Sequence, residues 1–415
     1  MKANEIVYLF LIVIFLISCS SGNQSKDGLP CIDIRKNYPE KEIILTDIAD
    51  VTYVHLNTTD DDYLYKGRLV YVTDNTIVMS DESSGSILFF SKDGNPKSRF
   101  NRFGSGPEEY TQKRPTAIIY DESADDVFLH ASGIYNPGSI PVYSSTGEYK
   151  RRLILPKGAS PMPIVDFDDQ SLLVYDMQKQ LAGVMRAYTS QSGRETDIIP
   201  QAVDARYYHI SKTDGDVLEY VEILSNEADL TRSIDGGFSI PVFERITKGA
   251  EGLFLCDIET DTVFLYSKNK TLTPIICKIP SVNDLDPKII LTDFVEAGRY
   301  QFMLVLTMMS REETMRIPLD ELYKRYNRHY MRDKQTGEIF RQKIRWTDYT
   351  EKELFITARN MYFTGKETLA YFELDLFELK KAYQENKLNG KLKELVATLD
   401  EMEDNNVFMF VTFKE

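Results

Sequence analysis

Histidine, the side chain most often used for acid–base work and metal ligation near neutral pH, occurs four times in these 415 residues: His55, His130, His209 and His329. None stands at H-x-H or H-E-x-x-H spacing, so spacing gives zinc chemistry no support. No G-x-S-x-G elbow occurs, and Gly104-Ser105-Gly106 is not one. The acidic runs Asp60-Asp61-Asp62 and Asp166-Asp168-Asp169 lack the spaced ligands and the glycine of a calcium loop, and they read as solvated turns. Residue types alone therefore nominate no catalytic group.

One stretch does suggest binding chemistry. From Glu321 to Thr350 there are eight Lys or Arg against four acids, inside a chain whose formal net charge is −15. The cations are interleaved with Tyr323, Tyr326, Tyr330, Phe340, the sole Trp346 and Tyr349. Aromatic faces stack on sugar rings and guanidinium groups grip carboxylates with two parallel hydrogen bonds. On that chemistry Arg345, Trp346 and Tyr349 are the ligand-binding candidates, for an oligosaccharide, a peptide or a partner protein. The competing reading is a solvated helix face on a packed sheet. The overall negative field repels phosphate backbones and anionic headgroups, which argues against nucleic acid as a partner.

The elements that would hold such a site are mostly strands. Ile87 to Phe90 and Lys97 to Phe100 flank the polar turn Ser91-Lys92-Asp93-Gly94-Asn95, a hairpin signal. Similar arrangements follow Tyr143, Tyr188 and Tyr266, and a weaker one runs from Tyr330 to Gly337. The copies lie about 50 residues apart, with a wider gap before Tyr266 that leaves room for a degenerate copy around 216–232; this period suits a β-propeller. Asn406 to Phe413 near the C-terminus and Glu42 to Leu56 near the N-terminus are strands without a following turn motif, so the two chain ends are expected to complete one blade together. Short helices are expected near the C-terminus. Leu319, Leu322, Tyr323 and Tyr326 share one helix face, Asp375-Leu376-Phe377-Glu378 reads as a capping box, and Leu392, Leu395, Val396 and Leu399 form a third stripe.

At the start of the chain, Lys2 precedes twelve apolar residues, Ile6 to Ile17. That run is too short to span a bilayer, which takes about 20, but fits the apolar region of a secretory signal. Leu16-Ile17-Ser18-Cys19 resembles the bacterial lipobox, in which residues 1–18 are removed and Cys19 is acylated. Residues 19–40 read as a flexible tether and 41–415 as a single propeller domain. Cys256 and Cys277 fall in strands separated by a third, about 9.6 Å apart in one antiparallel blade, too far for a disulfide. Both are expected as free, buried thiols, and Cys31, in the tether, pairs with nothing obvious.

The corner Arg102-Phe103-Gly104-Ser105-Gly106-Pro107-Glu108-Glu109-Tyr110 resembles the G-x-G-P-G-E-Y signature of the NHL-like six-bladed β-propeller lipoproteins of Gram-negative bacteria, with Gly104, Gly106, Pro107, Glu109 and Tyr110 carrying the match. Glu108 stands where that signature has glycine. The resemblance implies an all-β fold of six four-stranded antiparallel blades and an address in the cell envelope, anchored in the outer membrane through Cys19. The absence of an acidic run after Cys19 favours the periplasmic face. The expected function is a binding or interaction module without a cofactor. The rival is a hydrolase or lyase holding a divalent metal in the central channel through residues from several blades, an arrangement that sequence spacing leaves open.

Overall fold

Six antiparallel four-stranded sheets are arranged as the blades of a propeller. The computed structural model describes residues 28–58, 63–130, 138–159, 161–177, 206–223, 245–308, 316–318, 321, 326–350 and 352–414. Blade 1 runs Gly67–Val72, Thr76–Asp81, Ile87–Ser91, Pro96–Phe100, and blade 2 runs Ala117–Asp121, Asp126–His130, Ser139–Tyr143, Tyr149–Ile154. Blade 3 comprises Pro161–Asp166, Ser171–Asp176, Tyr207–Ser211 and Val217–Val221; blade 4 comprises Ile246–Gly249, Gly252–Leu255, Thr262–Ser267 and Leu272–Ile279. Blade 5 uses Ile289–Ala297, Tyr300–Thr307, Asn327–Asp333 and Ile339–Arg345. Blade 6 takes Met361–Phe363, Thr368–Leu374 and Val407–Phe413 from the C-terminal region and its outer strand, Ala49–His55, from the N-terminal one. That last pairing joins the two ends of the chain and leaves the ring without an open edge between its first and last blades. First strands of neighbouring blades touch around the axis, as Gly67–Val72 does with both Ala117–Asp121 and Met361–Phe363.

The sequence pattern explains why the strands sit where they do. Second and third strands such as Thr76–Asp81 and Ser171–Asp176 are buried on both faces, because a neighbouring blade covers each side. Outer strands alternate, as in Pro96–Phe100, since one face meets solvent. Between third and fourth strands the chain turns through a left-handed residue at one repeated position: Gly94 (φ +88°), Gly147 (φ +85°), Gly215 (φ +92°), Lys270 (φ +63°) and Gly337 (φ +75°). In blades 1 to 3 this glycine also presses on the preceding blade's outer strand. A Cβ there would come within 2.0 Å of the His55 carbonyl oxygen, 2.4 Å of Phe100 Cβ and 2.7 Å of the Ile154 carbonyl oxygen. The blade 3 turn is Ser211-Lys212-Thr213-Asp214-Gly215, so the sequence repeat is corrected at this blade. The segment after Tyr188, expected to be that turn, lies outside the described residues, as does most of the helix face expected over 319–326.

The glycine-rich corner follows the outer strand of blade 1. Gly104 N–H donates to the Tyr110 carbonyl (3.0 Å), Tyr110 N–H to the Arg102 carbonyl (3.0 Å), and the Glu109 carboxylate accepts from Gly106 N–H (2.6 Å). A Cβ on Gly104 would fall 2.0 Å from Glu109 Oε2, so a side chain there would displace the carboxylate that accepts from Gly106 N–H. Glu108 is absent from the positive-φ residues, and its carbonyl accepts from the Tyr143 hydroxyl at 2.9 Å. The Tyr110 ring completes an edge-to-face pair with Tyr143 (6.0 Å), beside Phe100–Tyr143 (5.4 Å) and Phe89–Tyr120 (5.2 Å). Such pairs add roughly 0.5–1.5 kcal/mol each beyond the area they bury, which ties blade 1 to blade 2.

The N-terminal segment overturns two expectations. Cys31–Asp33 pairs in parallel with the outer strand of blade 4, and Glu40–Ile44 pairs in parallel with that of blade 5. The stretch expected to be a free tether up to residue 40 is, from Cys31 onward, a strap over two outer edges that would otherwise expose unpaired backbone. The register sets Cys31 beside Cys277 with a Cα separation of 4.4 Å, and the two form a disulfide. Cys277 is therefore not free. The inference from strand spacing holds only for Cys256 against Cys277; it missed a parallel neighbour supplied from outside the blade. Cys256 is buried and free, with burial pushing its thiol up to about 12.

Two helices, Leu376–Gln384 and Gly390–Thr398, are inserted between the second and third strands of blade 6. Asp375 caps the first by accepting from Glu378 N–H at 2.8 Å, and Leu379, Leu392 and Val396 pack into the core that contains Trp346.

Candidate functional site

Two cavities, of about 410 and 450 Å³, lie along the axis and share Tyr71, Asp166, Lys248 and Phe363. Those residues come from the first strands of blades 1, 3, 4 and 6, so the fold alone brings them together. At their meeting point an ionic chain crosses the channel. Lys248 Nζ donates to the Tyr71 hydroxyl (2.9 Å) and lies 3.4 Å from Asp166 Oδ2, while Lys212 Nζ lies 2.8 Å from Asp166 Oδ1 and donates to Asp121 Oδ2 (2.9 Å). Burial alone would depress the Lys248 and Lys212 ammonium groups, but their tyrosine and carboxylate partners more than offset it and hold both above the usual lysine value. Burial likewise opposes ionisation of Asp121, yet hydrogen bonds from Lys212 and Ser123 bring its pKa down to about 2. Lys248, Lys212 and Asp121 are thus charged at neutral pH, with Asp166 lying between the two ammonium groups.

The 410 Å³ cavity is lined mainly by the first strands of blades 1, 2, 3, 4 and 6. Arg68, Arg359 and Lys248 bring positive charge to it, and Tyr71, Tyr362 and Tyr371 form an aromatic run with centroid separations of 6.2 and 5.5 Å. Tyr362 is held in place by donating its hydroxyl to the Val70 carbonyl (3.0 Å), and Arg68 by donating to the Pro115 carbonyl (2.9 Å). His130 lines the same cavity. The 450 Å³ cavity is bounded instead by the turns after the first strands and carries Asp74, Asp121 and Glu122. Glu122 accepts from the Thr73 (2.8 Å) and Thr76 (2.5 Å) hydroxyls and pairs with Lys97 (3.5 Å). Beyond the shared Asp166 and Lys248, the 410 Å³ end carries Arg68 and Arg359, while the other end carries Lys268 and three carboxylates, each paired with a lysine.

The residues nominated from sequence are elsewhere. Trp346 is 2% exposed in the core under the blade 6 helices, donating from Nε1 to the Tyr53 hydroxyl at 2.8 Å. Tyr349 packs on it at 5.5 Å, and Arg345, on the outer strand of blade 5, pairs with Glu42 of the strap at 3.2 Å. None of the three is among the residues lining either cavity. Asp166, read as part of a solvated turn, is instead the central acid of the ionic chain, while Asp168 closes its turn by accepting from Ser171 N–H (2.7 Å). Cys19 and Asp60-Asp61-Asp62 fall outside the described residues. Among the described residues no group of three or more His, Cys, Asp or Glu could hold a metal ion, and the channel acids Asp121 and Asp166 are taken by lysines. The signal that could have found the channel is a charged residue inside an otherwise apolar short strand, as at Arg68 and Lys248.

The fold and channel define a six-bladed β-propeller with a central cavity. Within that class the chain belongs to the DUF4934 family, a domain of unknown function whose family model matches residues 29–412. No curated protein matches it. Among solved structures it is similar to a putative exported protein (BF0058) from Bacteroides fragilis, at 16% identity over 91% of this chain and 99% of that one, with a TM-score of 0.57. A member of the DUF4221 family from Bacteroides vulgatus aligns at 10% identity over 88% and 96% of the two chains (TM-score 0.42). Virginiamycin B lyase from Staphylococcus aureus aligns at 13% identity over 71% and 74% (TM-score 0.36). The likeness to the Bacteroides fragilis protein is one of fold. Among the described residues no helix is long and apolar enough to cross a membrane.

Proposed function

We propose that this protein is an exported, lipid-anchored binding module whose central channel takes an acidic carbohydrate. The observation that carries the reading is the 410 Å³ cavity lined by Arg68, Arg359 and Lys248 against the one acid Asp166, together with the tyrosine run Tyr71, Tyr362 and Tyr371. Guanidinium and ammonium groups take carboxylates, and tyrosine faces take the apolar side of a sugar ring. Local positive charge inside a chain of net −15 concentrates an anion at one point and repels it elsewhere. Calorimetric titration with galacturonate oligomers, against neutral glucose oligomers of the same length, tests this. Acidic oligomers are expected to bind, more weakly as salt rises, and Arg359→Ala to lose about tenfold or more in affinity. Equal binding of acidic and neutral oligomers, or no binding of either, would refute the proposal.

Export and anchoring rest on the apolar run Ile6 to Ile17, the lipobox-like Leu16-Ile17-Ser18-Cys19, and the Cys31–Cys277 disulfide, a bond that persists in oxidising compartments. Cys19→Ser is expected to move the protein from the membrane to the soluble fraction of the envelope. An unchanged distribution would remove the anchor from the account.

A further inference from the structure

Among the described residues Asp166 is the one acid lining the 410 Å³ cavity, and by its sign it opposes an anion there. A carboxylate inside an anion site repels the ligand and competes with it for the cations. Here its two oxygens meet different lysines. Oδ1 lies 2.8 Å from Lys212 Nζ, whereas Oδ2 lies 3.4 Å from Lys248 Nζ. A tight ammonium–carboxylate contact measures about 2.7–2.9 Å, so Lys212 is the close partner of the acid. Lys248 is engaged only loosely by it, and is held instead by the Tyr71 hydroxyl at 2.9 Å.

Lys212 itself lines neither cavity, and its side chain is 7% exposed against 27% for Asp166. It reaches the axis from the turn between the third and fourth strands of blade 3, and neighbours fix it there. Its N–H donates to the Gln170 carbonyl (2.9 Å), and its own carbonyl accepts from Arg151 Nε (2.9 Å). The ammonium sits 5.8 Å from the centroid of the Phe128 ring and donates to Asp121 Oδ2 at 2.9 Å. Asp121 lines only the other cavity. Lys212 therefore acts on the 410 Å³ cavity through Asp166 alone.

Building on the channel reading above, we infer that Lys212 is a positioning residue of the anion site: it occupies Asp166 from behind, so that the Lys248 ammonium stays available to a ligand carboxylate. Without Lys212 the acid is an uncompensated charge in the channel wall, which draws Lys248 to itself and repels the ligand. Affinity for an acidic ligand thus depends on a lysine that never touches it.

The test measures trigalacturonate affinity, with melting curves to show that each variant is folded. Lys212→Met, which keeps the apolar stem and removes the charge, is expected to lose about tenfold, and Asp166→Asn to bind about threefold tighter than wild type. Two double variants then share the net charge of wild type. Lys212→Met with Asp166→Asn is expected to regain wild-type affinity, because the competing acid is gone; Lys212→Met with Asp121→Asn is expected to stay weak, because Asp166 is still bare. Wild-type affinity in Lys212→Met would overturn the inference. Equal rescue in the two doubles would reduce the effect to overall charge, and no rescue in either would reduce it to damaged packing; each overturns the inference and leaves the channel reading standing while Arg359→Ala remains impaired. If Lys212→Met does not fold, Asp166→Asn decides alone, and binding no tighter than wild type overturns the inference. Failure of wild type to bind trigalacturonate would overturn both.

Discussion

Replacing Cys31 or Cys277 with serine is expected to lower the stability of the oxidised protein by about 3–5 kcal/mol. The bridge spans 246 residues, so in the unfolded chain it removes the entropy of a very long loop. In the folded state it fastens the first strand of the strap to blade 4, next to the Cys277 N–H that donates to the Pro30 carbonyl at 2.8 Å. Otherwise that part of the strap is held by three residues of backbone pairing, by Ile34 N–H donating to the Ile279 carbonyl at 2.9 Å, and by Ile32 and Ile34 buried in the core. Denaturant unfolding with and without reductant measures the effect. Wild type should shift to a lower midpoint on reduction and Cys31→Ser should not respond. Equal midpoints for oxidised and reduced wild type would show that the bridge contributes nothing.

Lowering the pH from 7 to 4 is expected to cost about 6 kcal/mol, through two histidines. Burial holds His130 at about 4; burial, assisted by Arg341, holds His329 at about 4 as well. In the unfolded chain both titrate near 6.5. Between those values the unfolded state binds protons that the native state refuses, so stability falls as pH falls, by about 3 kcal/mol for each histidine once pH 4 is reached. The next loss comes at lower pH. Asp333, held to about 2 by its hydrogen bond from Arg299, and Asp121, held there by Lys212 and Ser123 against the cost of burial, lose their stabilising ionisation as pH drops below the usual carboxylate range. Stability measured from pH 7.5 to 4 should decline most steeply below 6.5, and His130→Leu should remove about half of the decline due to the pair. A flat profile across that window would contradict the buried, neutral state of both rings.

The parts of the fold legible in the sequence are those governed by local rules. Alternation in Pro96–Phe100, the turn at Ser91 to Asn95, and the cap at Asp375 each depend on residues within a few positions of one another. The corner at Gly104 to Tyr110 was legible for the same reason, since Glu109 reaches Gly106 three residues away. The pairing of Ala49–His55 with Val407–Phe413 was legible because two apolar strands at opposite ends of the chain had no local partner. Blade 3 escaped because Ile210 precedes its turn where Phe90, Tyr143 and Tyr266 precede those of blades 1, 2 and 4, so its turn carried no repeat signal.

The channel was not legible. Asp121, Asp166, Lys212 and Lys248 belong to blades 2, 3 and 4, and only ring closure makes them neighbours. The disulfide escaped likewise, because it needs the parallel strap as well as the blade. Basic and aromatic residues around Trp346 looked like a binding surface because composition does not say which face a strand presents. In the fold Trp346 and Tyr349 are packing beneath two helices, and Arg345 ties the strap to its blade.

The central claim is that the cationic, tyrosine-lined end of the channel is where this propeller holds its ligand. A crystal structure of the protein soaked with trigalacturonate tests it most directly. The account predicts a carboxylate of the sugar against Arg68 and Arg359 and a ring on the Tyr71–Tyr362–Tyr371 run. An empty channel at saturating ligand, or ligand density against Arg345 and Tyr349 on the outer face, would contradict it.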